Sequence, residues 1–120
     1  MNAISRVIVG CFLALSFFIS GSVAFAADGS ITILEPKNGA DLASGSGNEL
    51  KYEVQLSPSG NHLHVYIDDM SPMIVREVKN CPCSIKLPKL AAGKHMVDIK
   101  EATSSHALTG VGSSVSFSVK

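Results

Sequence analysis

Every proline in the sequence, and most glycines, fall between short runs in which apolar and polar residues alternate. A period of two is the signature of strands, whose successive side chains point to opposite faces. Seven such runs follow one another. Ile31 and Ile33 open the first, which ends at Glu35-Pro36-Lys37-Asn38-Gly39. After the turn-rich DLASGSGN, the run Asn48 to Leu56 puts Leu50, Tyr52, Val54 and Leu56 on one face. His62 to Asp68 alternates again, with Leu63, Val65 and Ile67 inward and His62, His64, Tyr66 and Asp68 outward. Met73 to Lys79, Cys83 to Leu87 and His95 to Glu101 follow, and a last strand carries Val115, Phe117 and Val119 on one side. The intervening SPSGN, DMSP, NCP, PKLAAG and ATSSHALTGVG read as turns and loops. Beyond the first 26 residues no helical period of useful length appears. These runs predict a single all-β domain, a seven-stranded antiparallel β-sandwich.

The amino-terminal segment is of a different kind. Arg6 precedes an apolar run from Val7 to Ile19, and SGSVAFA follows with Ala24 and Ala26 flanking Phe25. A basic start, a short apolar middle and an A-x-A exit describe a secretory signal peptide. The run is shorter than the ~20 apolar residues of a membrane span. Cleavage at Cys11, in the lipoprotein-like Ile8-Val9-Gly10-Cys11, would leave most of the apolar run attached, so the cut is placed between Ala26 and Ala27. Residues 1–26 are therefore expected to be a signal peptide and 27–120 an exported domain, periplasmic or secreted, with no membrane span.

Past Ala26 the chain has Arg76 and eight lysines against ten acidic residues, without a basic stripe. That excludes a nucleic-acid surface and a polybasic lipid patch. No phosphate loop, G-x-S-x-G elbow or H-E-x-x-H motif is present, and the expectation is a protein that is not an enzyme.

The strand spacing and a length near the ~100 residues of immunoglobulin-like sandwiches agree with a resemblance. The quoted elements are Ile31, Ile33, Pro36 and Gly39; His62, His64, Tyr66, Asp68 and Asp69; Leu90, Gly93 and His95; and the later lone His106. Together they resemble small exported bacterial immunoglobulin-like domains carrying H-x-H, L-x-x-G-x-H and a lone histidine. The resemblance spans nearly the whole exported segment and implies the fold, with no activity attached. Cys81-Pro82-Cys83 is outside it.

In a seven-stranded sandwich of this kind, the loops after the second, fourth and sixth strands share one end. His62 and His64 begin the third strand, Cys81 and Cys83 stand at the turn before the fifth, and His106 lies in the loop before the seventh. All five are expected at that end, as ligands for copper or zinc. The plainer readings are a solvated H-x-H face, whose His64 adds little to packing, and a structural cysteine pair in a tight turn. In the second functional reading the domain is a structural or interaction module that binds another envelope protein without metal.

His95, at the opposite end, stands where similar sandwiches place a tyrosine bonded to the neighbouring loop backbone, and is expected to be structural. Met70, Met73, His95 and Met96 form a weaker rival cluster for Cu(I), and Asp68-Asp69 reads as a turn. Intact-mass analysis of the exported protein should give Ala27 as its first residue, and a retained leader or a lipid on Cys11 would contradict the assignment.

Overall fold

The computed structural model describes residues 29–78 and 81–120. The expected leader and its cleavage point lie outside that range. Eight strands follow in order: β1 (Ser30–Glu35), β2 (Asp41–Leu42), β3 (Glu49–Gln55), β4 (His62–Ile67), β5 (Met73–Val75), β6 (Cys83–Lys86), β7 (Gly93–Ala102) and β8 (Leu108–Val119). No helix occurs among the described residues. One sheet has the order β1-β3-β6 and the other β2-β8-β7-β4-β5. All pairings are antiparallel except β2 with β8.

In β3 the alternation read from the sequence is the alternation of burial. Leu50 and Tyr52 of one sheet meet Leu63, Val65, Ile67, Val97, Ile99, Val115, Phe117 and Val119 of the other, all nearly inaccessible. Each such aliphatic or aromatic side chain contributes about 1.5–3 kcal/mol by leaving water. Pairing of β4 with β7 sets Leu63 opposite Glu101, Val65 opposite Ile99 and Ile67 opposite Val97. The same register puts His62 and His64 on the outer face, opposite Ala102 and Lys100.

Three details differ from the seven expected runs. The eighth strand is β2, two residues within the turn-rich DLASGSGN. Of the fourth run, Met73–Val75 forms β5, which pairs with β4 across the short Asp69-Met70-Ser71-Pro72 turn. The last strand starts at Leu108, so the loop before it is only 103–107. Gly110 and Gly112 resembled loop punctuation, yet they belong to the ladder. Gly110 has φ +95° beside the register shift between Lys100 and Ala102, and a Cβ on Gly112 would lie 2.9 Å from the Ile99 carbonyl. Glycine inside a strand here marks a bulge and a close backbone approach.

At the end away from residues 103–107, His95 closes the corner that was expected of it. Its Nε2 meets the Ala91 carbonyl at 2.6 Å and its Nδ1 meets Asp68 Oδ2 at 2.6 Å. Both partners are acceptors, so both ring nitrogens carry protons. The Asp68 carboxylate, then the Ala91 carbonyl, hold the imidazolium above its ordinary range against burial. Burial would raise the Asp68 carboxyl, but the bonds from His95 and from the Met96 N–H at 2.8 Å outweigh it and its pKa falls. Asp68 is thus more than a turn residue, since it anchors the corner.

This pair has a defined pH window. His95 is raised, so its contribution is complete below about 6.5 and is lost as pH climbs through the raised value. Asp68 is lowered, so its contribution is present above about 3.9 and is lost as pH falls through the lowered value. His95→Ala should cost about 1–3 kcal/mol near pH 6, by leaving the Ala91 carbonyl and Asp68 without their donor. Urea unfolding of both proteins across pH should show that difference narrowing at alkaline pH.

Candidate metal centre

Strand β4 leaves the loop 56–61 with its first residue, His62, and two-residue spacing puts His64 on the same face. That face is not the solvated surface expected. His62 is wholly inaccessible and His64 is 8% exposed. Two neighbours explain the burial. The His106 ring folds back from loop 103–107, with its centroid 4.7 Å from that of His62 and 5.6 Å from that of His64. Tyr66 lies beyond His64, its ring centroid 6.2 Å away.

The loop that supplies His106 is built for it. Thr103 N–H bonds the Ala107 carbonyl at 2.8 Å, His106 N–H bonds the Thr103 carbonyl at 2.9 Å, and Ala107 N–H reaches Thr103 Oγ1 at 3.2 Å. His106 itself has φ 67°. A left-handed non-glycine residue costs about 1–3 kcal/mol and persists only where its surroundings impose it. Here the conformation turns an otherwise exposed imidazole onto β4.

Three ring nitrogens meet as a result. His62 Nε2 lies 2.9 Å from His64 Nε2 and 3.1 Å from His106 Nδ1, and the third edge is 3.4 Å. The other nitrogen of His62 decides its proton position. His62 Nδ1 is 3.0 Å from the Asn61 side-chain oxygen, an acceptor only, so it carries the proton. His64 Nδ1 faces the Tyr66 hydroxyl at 3.3 Å, a group that both donates and accepts, so either tautomer of His64 is satisfied there. The His62 Nε2 thus presents its lone pair to the point that His64 Nε2 and His106 Nδ1 also face. Outer bonds of this type orient metal-binding histidines.

Electrostatics favour the neutral form of His62, the form that binds metals. Burial, then the neighbouring His106 and His64 and the charge of Arg76, push the His62 imidazole below its ordinary range. A metal bonded to three nitrogens at 2.0–2.1 Å, with angles between right and tetrahedral, spaces them about 2.9–3.4 Å apart. The observed triangle has that size.

The structure brings together His62, His64 and His106, and among the described residues these form the one such group of histidine, cysteine or carboxylate side chains. It does not bring in the cysteines. Cys81 and Cys83 are joined in a disulfide with Cα atoms 4.3 Å apart, and both pack against the core. A disulfide leaves no thiolate to ligate. The rival methionine cluster loses its histidine, since both His95 nitrogens are already bonded.

One residue of this end escaped the sequence reading. Glu101 is fully buried on the inner face, where it accepts bonds from Ser57 N–H at 2.8 Å, from the Ser57 hydroxyl and from the Thr109 hydroxyl at 2.7 Å. Burial would raise its pKa, but these donors outweigh burial and hold it below the ordinary range. The available signal was parity: Glu101 continues the inward series Val97, Ile99.

No protein-family model matches the chain, and no curated protein matches it by sequence. Similarity of structure gives the fold. A fibronectin(III)-like module of Clostridium thermocellum CbhA superposes with a TM-score of 0.59 at 18% identity, over 75% of this chain and 94% of the module. The extracellular domain of BT4673 from B. thetaiotaomicron, a one component system protein, gives 0.50 at 12% identity over 76% of this chain. This chain covers only 15% of that much longer domain. The chain is thus an all-β sandwich of the fibronectin(III)-like kind within the immunoglobulin-like class.

Burial changes what substitutions here should do. His62→Ala and His64→Ala remove enclosed rings and strand their partners, and each should cost about 1–3 kcal/mol in metal-free protein. His106→Ala, at an exposed position and with the same left-handed backbone, should stay within about 0.5 kcal/mol. Urea unfolding of the three variants with a chelator present measures this ordering.

Proposed function

We propose that this chain is an exported, non-enzymatic β-sandwich of the bacterial envelope that binds one copper or zinc ion through His62, His64 and His106. One observation carries the reading: the Nε2 atoms of two buried imidazoles and the Nδ1 of His106 converge to within 3.4 Å of one another, and the Asn61 oxygen holds His62 as its Nδ1–H tautomer with the lone pair of Nε2 aimed at that point.

Imidazole donors suit both ions, and copper has the higher intrinsic affinity. The three ligands leave a coordination position for water or a partner's side chain, as in open three-ligand sites. The solvent side of the group is the His106 side, since that residue alone of the three is exposed. The sandwich supplies the scaffold, and its export rests on the leader sequence.

The runner-up reading is a module that binds another envelope protein. It is favoured by the exposed Met73 and Ile74 on edge strand β5 and by the exposed Met96. Metal analysis of untagged protein purified from the periplasm separates the two. The metal reading expects about one equivalent of copper or zinc, with uptake reduced in His62→Ala, His64→Ala and His106→Ala. His106→Ala is the decisive variant because its folding should be unaffected. Background uptake by the wild-type protein would leave the interaction module as the function.

A further inference from the structure

Directly behind the imidazoles, on the inner face of the same sheet, β7 carries the fully buried Glu101 one residue before its end. Its strand neighbours on that face, Val97 and Ile99, are plain core residues. A carboxylate in such a place is costly unless donors satisfy it, and this one has three. They come from two separate segments. Ser57 provides its N–H and its hydroxyl from the loop before β4, while Thr109 provides its hydroxyl from the start of β8.

Those segments are the ones that deliver the metal ligands. Between Ser57 and His62 the loop lies against the carboxylate so closely that a Cβ on Gly60 would stand 2.5 Å from it. Asn61, next in line, donates its N–H to the Ala102 carbonyl at 2.9 Å and offers its side-chain oxygen to His62. On the other side Thr109 stands three residues after His106, and its oxygen also receives the Val111 N–H at 3.3 Å. His62 and His106 are 44 residues apart in sequence. Their backbones are referenced to one carboxylate.

We propose that Glu101 is a positioning residue of the three-imidazole site, an inference that rests on the metal reading above. It touches none of the three rings and acts by fixing the loop before β4 against the start of β8. A site of this kind must be held to within about 0.5 Å to work. Outer residues that hold ligands in place typically affect metal affinity by about 10–100-fold.

The test compares Glu101→Leu, Glu101→Gln and Thr109→Val with the wild-type protein. Competitive titrations with Cu(II) and Zn(II) give affinities, and nitrogen-15 spectra of the imidazoles in metal-free protein report the tautomers. Glu101→Leu and Thr109→Val should weaken binding by about 10–100-fold and disturb the Nδ1–H pattern of His62. Glu101→Gln keeps the shape and an acceptor for Ser57 N–H, so it should recover most of the affinity. If Glu101→Leu does not fold, Thr109→Val carries the decision, because it removes one hydroxyl at nearly constant volume. Lower thermal midpoints with wild-type affinity and unchanged imidazole spectra would overturn the proposal, leaving Glu101 an ordinary core carboxylate. A wild-type protein that takes up neither ion defeats the metal reading instead. In that case the spectra alone judge Glu101: unchanged rings in Thr109→Val reject it, and altered rings support it.

Discussion

Strand β4 is buried on both faces at its His62 end, and the rest of the site depends on that. It lies between β7 and β5 in the five-stranded sheet, with Leu63, Val65 and Ile67 turned into the sandwich and His62 and His64 covered on the other side. Strands enclosed on both faces usually read as continuous apolar runs. Here the second face is imidazole, so each polar nitrogen needs a partner. Asn61 and Tyr66 satisfy the Nδ1 sides. The Nε2 sides have only each other and His106, and three imidazole nitrogens turned to one point are also a ligand set. The burial that makes β4 a good core strand therefore also defines the chemistry at its start.

The two ends of the molecule use histidine in opposite ways, and the difference lies in the partners. His95 meets a carboxylate and a carbonyl, both acceptors, and is held as a cation that pins the corner. His62 meets an amide oxygen on one side and other imidazoles on the other, with Arg76 adding positive charge, and is held neutral. An unperturbed imidazole sits near the middle of the physiological range, so modest surroundings suffice to move it either way. A cationic ring cannot ligate a metal, and a neutral one bonds a carboxylate less strongly. The fold thus separates a stabilising histidine from the candidate ligands by the length of the sandwich.

Much of this was legible in the sequence because strands are periodic. Parity alone assigned Leu63, Val65 and Ile67 to the core and placed His62 beside His64, and the loop rule for sandwiches brought in His106. The corner role of His95 followed from its spacing after Leu90 and Gly93. What parity does not report is what lies over a face. His64 looked solvated because its cover, the His106 ring, depends on a left-handed backbone at a single residue in a loop. Gly110 and Gly112 looked like loop because a close strand approach and a turn call for the same residue. The convergence of Cys81 and Cys83 with the histidines rested on shared ends of the sandwich. The plainer reading, a cysteine pair in a tight turn, is the one the structure holds. Glu101 was visible as an acidic residue in an apolar series, but its donors come from 44 residues before it and 8 after. No local pattern joins them.

Those long-range bonds bear on how such a site binds. His62 and His64 are set by the sheet, whose register admits one arrangement once Leu63 is buried, since a slip by one residue would exchange core and surface. His106 is set by a five-residue loop that fixes its own turn through Thr103. Neither component alone determines the distance between them. The Glu101 carboxylate, bonded to both flanking segments, converts two independently ordered pieces into one. A ligand group arranged in advance in this way loses little freedom when a cation arrives, so more of the gross interaction appears as affinity. On this scaffold, ordering of the imidazoles is part of the folding of the core, and an inward carboxylate is where the two are joined.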